Sequence, residues 1–439
     1  MLHDPARHET LRPIAWDEAR VRATIARIVD ETVAAFSPET LWPAHPRDLE
    51  PGADPDAPIT DPYCGAAGVV WALEYLNDIG AAASPSFASH IEMLRERNRA
   101  WLATKPGDNG GSWLSGDLPL EMMAWGHAPS APGADRIAAL IEANIDHPAR
   151  ELMWGSPGSL LAAALMHRRS GDERWAQLFR RIAQRLREQL LWSERQSCHY
   201  WSQDLYGRTT RYLDAVHGFA ATASALIQGR HLLPADDWAE WQRCIETTIA
   251  HTAIREDGRA TWPTQADEPP GTPQKWLMQF CHGAPGFVVC LAQLPGRVLD
   301  PLLVEAGEAT WAAGPLTKGS NLCHGTAGNA YAFLVLLART GDARWRERAR
   351  AFAMHAITQF EDETARVGRL RHSLWTGDIG LAILLFDCLR ERPEFPTLDV
   401  FFGEGPSRAR RDNARTRRPR TAPSPSASTR SRRPRRPAG

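Results

Sequence analysis

Apolar residues follow two patterns along this chain, and both are typical of α-helices. One kind of segment is apolar on nearly every face, as in VVWALEYL, SLLAAALMHR, TASALIQGRHLL, FVVCLAQL, NAYAFLVLLAR and LAILLFDCL. Such segments predict helices that are buried on all sides. The other kind, such as DERWAQLFRRIAQRLREQLL and ARWRERARAFAMHAITQF, has apolar residues at spacings of three and four, which predicts helices buried along one face. No segment alternates long enough to predict a strand.

A repeated pair of glycines precedes the buried segments. Five copies have Gly at the first and fourth positions: Gly65-Ala-Ala-Gly68, Gly155-Ser-Pro-Gly158, Gly283-Ala-Pro-Gly286, Gly325-Thr-Ala-Gly328 and Gly377-Asp-Ile-Gly380. Two degenerate copies are Gly116-Asp-Leu-Pro119 and Gly218-Phe-Ala-Ala221. The first glycines are separated by 51, 39, 63, 65, 42 and 52 residues, so the chain repeats with a period near 50.

About seven repeats, each with one outer and one inner helix, predict an all-α fold. We expect an α/α toroid, which is a double-layered helical barrel. A closed ring is favoured over an open solenoid because the inner helices are too apolar to face water.

The repeat register predicts which residues meet near the ring centre. The residues directly before the first glycines should lie at one end of the inner helices; they are Cys64, Ser115, Trp154, His217, His282, His324 and Thr376. Cys281 and Cys323 come one position earlier in two of the repeats. Trp154 and Trp375 belong to the same rim, where they either line a peptide groove or pack in the core.

Cys281-His282 and Cys323-His324 are near copies, and a ring would bring them together. Zn²⁺ prefers thiolate and imidazole ligands, and a catalytic zinc site uses three protein ligands and leaves a fourth position open. The two cysteines and one histidine therefore predict a metal site. The alternative is that both cysteines are small buried hydrophobic residues.

Charge is distributed unevenly along the chain. Residues 406–439 contain twelve Arg and one Asp, whereas the remaining residues include 39 basic and 51 acidic side chains, a net charge of −12. This composition predicts a disordered tail at 406–439, a toroid at 56–405 and an N-terminal helical segment at 1–55 that packs on it. The acidic body argues against a nucleic-acid partner for the folded domain.

Other features bear on the compartment. No apolar run approaches the roughly 20 residues that span a bilayer, and the first residues contain no apolar segment of a secretory signal. Seven cysteines are sparse and odd in number, which does not fit a disulfide framework. We therefore expect a cytoplasmic protein without a membrane span.

The motifs resemble those of the lanthionine synthetase C-like family. FCHGAPG at 280–286 and LCHGTAGNAYAFL at 322–334 are similar to the two zinc motifs of its stand-alone, eukaryotic-type, glutathione-binding branch. LSGDLP at 114–119, ELMWGSPG at 151–158 and SLWTGDIG at 373–380 also fit its repeats. The likeness spans about residues 60–400 and is most specific over 275–335.

The resemblance implies a toroid with Zn²⁺ at its centre, held by Cys281, Cys323 and His324. His282 would lie beside these ligands without binding the metal. His217, in DAVHGFA, would be the catalytic acid/base.

The same resemblance implies two cationic contacts to glutathione. Lys318 matches a lysine of the glutathione-binding members, and Arg366 fits their second cationic contact, although Arg369 and Arg371 are near enough to compete for that role. The family's N-terminal arginine contact has no confident match in this chain. Neither has the catalytic Asp of the bacterial cyclases.

The function implied by the resemblance is zinc-dependent activation of a thiol. A thiol such as glutathione, or a peptide cysteine, would add to dehydroalanine or dehydrobutyrine in a peptide or protein and form a thioether. A histidine with a pKa near 6.5 would suit protonation of the resulting enolate.

Three alternatives remain from the sequence. One is a cyclase that joins cysteine and dehydro residues within one peptide, and another is an inactive zinc- or glutathione-binding scaffold. The third is a metal-free glycosidase that uses Asp117 and Asp378 as paired carboxylates. These two residues are also typical of the acids found at helix N-termini, where the helix dipole favours negative charge.

Overall fold

The computed structural model describes residues 2–403 except 50, 51, 53, 55, 56, 106, 108, 270, 273 and 274. The described residues up to Phe402 form one compact unit. The tail predicted at 406–439 lies outside the described residues, and its disorder stays a prediction, as do the predicted domain boundaries.

Within the described residues the chain forms fourteen α-helices and six short strands. The helices are α1 (Glu18–Ala34), α2 (Ala66–Asp78), α3 (Ile91–Leu102), α4 (Leu118–His127), α5 (Ala131–Ala143), α6 (Ser156–Ser170), α7 (Glu173–Glu188), α8 (Phe219–Gln228), α9 (Ala235–Thr252), α10 (Ala284–Leu291), α11 (Asp300–Ala313), α12 (Thr326–Thr340), α13 (Ala343–Val367) and α14 (Asp378–Arg390). The strands are β1 (Leu191–Ser193), β2 (Cys198–Tyr200), β3 (Gln203–Leu205), β4 (Arg208–Thr210), β5 (Ile254–Glu256) and β6 (Arg259–Thr261).

The helices alternate between two layers. The even-numbered helices are those that follow the repeat glycines, and they are the more completely buried; every residue of α10 is buried. The odd-numbered helices bury one face, as α7 does. Inner helices pack in sequence from α6 through α8, α10 and α12 to α14, and α14 packs against both α1 and α2. The predicted all-α toroid of seven helix pairs is confirmed, whereas its central zinc remains a prediction.

In the five repeats that have it, the second glycine lets an inner helix start against the preceding loop. A Cβ atom on Gly286 would lie 1.9 Å from the carbonyl oxygen of Phe280, and one on Gly328 would lie 1.9 Å from that of Leu322. No side chain fits at such distances, so glycine is required at both positions. Gly283 also has a φ of 110°, a backbone conformation that glycine adopts without strain.

Consecutive repeats are joined at the rim by backbone hydrogen bonds. The N–H of Cys281 donates to the carbonyl of Cys323 at 3.0 Å, that of Cys323 to Trp375 at 2.9 Å, and that of Trp375 to Tyr63 at 3.3 Å. Tyr63 in turn donates to Leu114 at 3.0 Å. The residues before the repeat glycines therefore meet at one rim, as the register predicts.

Three short hairpins accompany the helices of the all-α fold. The strands form three antiparallel hairpins, β1–β2, β3–β4 and β5–β6. They lie between α7 and α8 and between α9 and α10, which is where the repeat gaps of 63 and 65 residues fall. Each strand has three residues, too few for the alternating pattern that predicts a strand.

Among the described residues, none of the helices has the length and apolar content needed to cross a bilayer.

Candidate metal and catalytic site

Cys281, Cys323 and His324 converge at the rim formed by the starts of α10 and α12. Their sulfur and imidazole nitrogen atoms lie within 4.8 Å of one another. Both cysteines are buried, and His324 is half-buried. The backbone N–H of His324 donates to Asn321 Oδ1 at 3.0 Å, which helps to fix the loop. Two sulfurs and one imidazole fit the preference of Zn²⁺ for soft ligands, with a fourth position left for water or substrate.

Each cysteine sulfur has a hydrogen-bond donor beside it. The hydroxyl of Tyr63 donates to Cys323 Sγ at 3.0 Å, and Nε2 of Gln279 donates to Cys281 Sγ at 2.9 Å. The pKa of Cys323 is lowered, mainly by a hydrogen bond from the Cys281 thiol and then by the bond from Tyr63. The pKa of Cys281 is raised because its thiol is that donor and because it is buried.

His217 faces the same rim and is held by a buried carboxylate. Its Nδ1 atom lies 2.7 Å from Oε2 of Glu151, whose side chain is fully buried. Burial alone would lower the pKa of His217, but the hydrogen bond and charge of Glu151, together with Asp214, outweigh it and raise the pKa to about 9. This pKa lies above the ordinary histidine value of about 6.5 because Glu151 is buried beside the ring.

His282 pairs with a second buried carboxylate. Its Nδ1 atom lies 2.8 Å from Oδ2 of Asp214, and Oδ1 of Asp214 accepts the backbone N–H of His217 at 2.7 Å. The rings of His217 and His282 are 6.3 Å apart. Asp214 thus ties the two histidines together, and its charge raises the pKa of His282 against the effect of burial.

Two cationic side chains, Lys318 and Arg7, lie near the cysteines and their neighbour Gln279. Lys318 is exposed, and its pKa is lowered, first by partial burial and then by the charge of Arg7. Arg7 reaches this place because its segment hydrogen-bonds to the loop before Lys318: the backbone N–H of Thr317 donates to the Arg7 carbonyl at 3.0 Å. Arg7 Nη2 also donates to Gln279 Oε1 at 3.5 Å.

The three arginines considered for the second cationic contact have different surroundings. Arg371 is buried and binds Asp48 through Nε and Nη2. Arg369 donates to the carbonyl of Ala44 at 2.7 Å. Arg366 is exposed and pairs with Glu363 at 2.6 Å.

A small, open cleft is lined by one of these arginines, Arg371. Its lining includes Arg47, Lys318, Glu363 and Arg371, but not Arg366. The assignment of Arg366 to a ligand contact stays a prediction.

The residues considered for a glycosidase site or a peptide groove lie at helix ends, in the core or at the rim. Asp117 directly precedes α4, and Asp378 is the first residue of α14, so both lie at helix N-termini. Trp375 is fully buried, so it packs in the core. Trp154 is half-buried at the rim.

The sequence profile of the family described as lanthionine synthetase C-like protein matches residues 133–400 of this chain. This span is more than half of the chain. The chain belongs to the lanthionine synthetase C-like family.

Two named relatives are similar to this chain in sequence. The LanC-like protein GCL1 of Arabidopsis thaliana is 38% identical over 125 residues, a match that covers 27% of this chain and only 29% of that protein. The glutathione S-transferase LANCL1 of Danio rerio is 26% identical over 357 residues, which covers 77% of this chain and 84% of that protein.

A solved structure shares the fold. The structure of nisin cyclase superposes with a TM-score of 0.54 and 15% sequence identity, over 84% of this chain and 94% of that one. At this identity the comparison supports the toroid and says nothing of the substrate.

The lanthionine synthetase C-like repeat carries a signal that the sequence reasoning overlooked. A polar residue stands four positions before every first glycine: Asp61, Ser112, Glu151, Asp214, Gln279, Asn321 and Ser373. Five of these side chains accept a backbone N–H of their own loop. This register would have identified Glu151 and Gln279, whereas Arg7 lies outside the repeats and has no such signal.

Proposed function

We propose that this protein is a zinc-dependent enzyme that adds a thiol such as glutathione to dehydroalanine or dehydrobutyrine residues of peptides or proteins, forming a thioether. The observation that carries the proposal is the convergence of Cys281, Cys323 and His324 on one rim with His217. The relative named glutathione S-transferase LANCL1 supports glutathione as the thiol.

Cys281, Cys323 and His324 would hold the zinc. When bound, the metal would lower the pKa of a substrate thiol and keep its sulfur as a nucleophilic thiolate. Two thiolates and a neutral imidazole leave the site near zero net charge, so a third, incoming thiolate is accommodated without a large excess of negative charge.

His217 would act as the general acid. Addition forms a bond between the thiol sulfur and Cβ of the dehydro residue, while the electrons of the double bond move toward the carbonyl as an enolate. The imidazolium of His217 then gives its proton to Cα. A pKa of about 9 keeps this proton on His217 at neutral pH, and the hydrogen bond from Nδ1 to Glu151 leaves Nε2 as the donating atom.

Arg7 and Lys318 would bind the carboxylates of glutathione. The charge of Lys318 lowers the pKa of Cys323, and the charge of Arg7 lowers the pKa of Lys318. Arg7 also contacts Gln279, whose amide lies beside Cys281 Sγ. Arg371 lines the adjoining cleft, and Arg366 is the further cationic residue predicted from the resemblance.

The dehydro residue would approach on the side of His217, where aromatic rings form the rim. Trp154 Nε1 donates to the hydroxyl of Tyr206 at 3.1 Å, and Tyr206 is 73% exposed. The rings of Tyr206 and Tyr212 lie 6.4 and 6.0 Å from that of His217. Flat apolar surfaces of this kind suit an extended peptide.

We place the reaction in the cytoplasm, because it needs reduced thiols, and the cysteines of the described residues are all free.

The first test is the zinc content of the purified protein by elemental mass spectrometry, with wild type beside Cys323→Ala and Cys290→Ala. We expect one zinc per chain in wild type and in Cys290→Ala, a buried cysteine outside the cluster, and none in Cys323→Ala. A folded wild-type protein purified without chelator that contains no zinc would refute the proposal.

The second test follows the thioether by mass spectrometry after incubation with glutathione and a dehydroalanine peptide. Product that appears with glutathione supports the proposal. Product only from a peptide that carries its own cysteine would favour the intramolecular cyclase, and zinc without any product would favour the scaffold.

A further inference from the structure

We propose that Tyr63 and Gln279 protect the two cysteine ligands from the electrophile by donating a hydrogen bond to each sulfur. The inference rests on the proposed function, in which an electrophilic dehydro residue approaches a centre that contains Cys281, Cys323 and a substrate sulfur. Productive turnover requires that only the substrate sulfur reacts. Alkylation of either cysteine would destroy the site.

Tyr63 is fixed by the ring of rim hydrogen bonds. Its backbone N–H donates to Leu114 at 3.0 Å, and its carbonyl accepts from Trp375 at 3.3 Å. Its side chain packs beside Trp375 with ring centroids 6.0 Å apart. The hydroxyl is therefore held against Cys323 Sγ, at 3.0 Å, by contacts on both sides of the residue.

Gln279 departs from the pattern of its repeat position. At the equivalent positions, Glu151 and Asp214 turn their side chains to backbone N–H groups of their own loops. The side chain of Gln279 instead reaches Cys281 Sγ at 2.9 Å. Because Oε1 accepts from Arg7 Nη2 at 3.5 Å, the amide is oriented with its N–H group toward the sulfur.

The chemical effect of the two donors is selective. A lone pair engaged in a hydrogen bond is less available for attack on carbon, so each donor lowers the nucleophilicity of the thiolate that accepts it. Both donors are aimed at protein sulfurs, and a third sulfur that enters with the substrate retains more of its reactivity. The arrangement separates cysteines that bind from the sulfur that reacts.

The test uses N-ethylmaleimide, which reacts with thiolates by the same kind of conjugate addition. The sulfur forms a bond to one alkene carbon, the alkene electron pair moves toward the neighbouring carbonyl, and water supplies the proton. Alkylation of each cysteine is followed over time by peptide mass spectrometry in the protein as purified, with its metal content measured in parallel. The variants are Tyr63→Phe, which removes one hydroxyl, and Gln279→Met, which keeps the length of the side chain and removes the N–H donor.

We expect Tyr63→Phe to increase the alkylation rate of Cys323 about tenfold, the size of one hydrogen bond to a charged group, and to leave Cys281 near its wild-type rate. Gln279→Met should increase the alkylation rate of Cys281 about tenfold and leave Cys323 near its wild-type rate. Tyr331→Phe is the control, because the hydroxyl of Tyr331 donates to Asp387 at 2.7 Å and not to a sulfur. It should leave both rates unchanged.

Unchanged rates in both donor variants would overturn the inference. A rise at Cys281, Cys323 and the buried Cys290 together would also overturn it, because loosened structure would then explain the reactivity. The outcome is separate from that of the proposed function: cysteine-selective alkylation without thioether synthesis would sustain the role of the donors and refute the activity. Thioether synthesis with unchanged alkylation rates in the variants would support the activity and refute the role of the donors.

Discussion

The Nδ1 atom of His217 lies 2.7 Å from a carboxylate oxygen of Glu151, and Glu151 is fully buried. A buried carboxylate stabilises the imidazolium beside it and fixes which ring nitrogen is directed to the site. The same carboxylate accepts the backbone N–H of Met153 at 3.0 Å, so it is anchored within its own loop. The pair turns a histidine of ordinary acidity into a weaker acid that stays protonated at neutral pH.

This pair predicts an alkaline limit to activity. In the proposed mechanism the protonated form of His217 is the active one, so kcat/KM should fall as the pH rises through about 9. In Glu151→Gln the raising influence of the carboxylate is lost, and the fall should move to lower pH, toward or below the ordinary value of about 6.5. The measurement is the pH profile of thioether formation.

Glu142→Gln provides the control for that profile, because Glu142 is an exposed carboxylate that pairs with Arg181 at 3.1 Å. It should retain the wild-type limit. An unchanged limit in Glu151→Gln would show that another group sets the alkaline side.

Removal of the metal should lower the stability of the fold. Cys281 and Cys323 belong to adjacent repeats, and a metal held by both would join the starts of α10 and α12. At a free zinc concentration about 100 times the dissociation constant, binding contributes roughly 2.7 kcal/mol, so a chelator should lower Tm by several degrees. Differential scanning calorimetry measures the shift. Cys323→Ala should show no shift with chelator, and a wild-type Tm that ignores the chelator would contradict the prediction.

Arg7 and Lys318 should control the affinity for the thiol. We expect Arg7→Ala and Lys318→Ala each to raise KM for glutathione about tenfold, the size of a lost charged hydrogen bond, with a smaller change in kcat. Arg12→Ala is the matched control, since Arg12 lies in the same N-terminal segment and pairs with Asp362 at 3.0 Å. The comparison is repeated with cysteamine, a thiol without carboxylates. An equal increase in KM for cysteamine would show that the two residues do not bind carboxylates.

The sequence predicts the ring well because one register governs it. Gly283 and Gly325 mark the starts of α10 and α12, and the same register brings Cys281 and Cys323 together. It predicts less where position depends on contacts that leave no pattern. Arg7 reaches the site through backbone hydrogen bonds of its segment, which any side chain permits.

The carboxylates that pair with His217 and His282 were also not predicted from the sequence. Glu151 and Asp214 occupy a repeat position at which acids often serve only to cap a loop, so their residue type alone does not indicate a catalytic neighbour. Their role becomes visible when the rings of His217 and His282 are placed 2.7 and 2.8 Å from them. The acidity of His217 depends on that distance and on burial, and neither can be read from spacing along the chain.

The second repeat glycines should be essential for the metal site as well as for the fold. In Gly328→Ala the new Cβ would lie 1.9 Å from the carbonyl oxygen of Leu322, so the start of α12 must move away from the loop that carries Cys323 and His324. We expect a loss of stability of about 2–4 kcal/mol, together with a loss of bound zinc. The equivalent position in the fourth repeat is already alanine, Ala221, and it is buried. Ala221→Gly should therefore cost only about 0.5–1 kcal/mol and keep the metal. Chemical denaturation and zinc content measure the two effects. A Gly328→Ala protein with wild-type stability and one zinc per chain would show that the loop adjusts, and that the close approach of helix and loop does not hold the ligands in place.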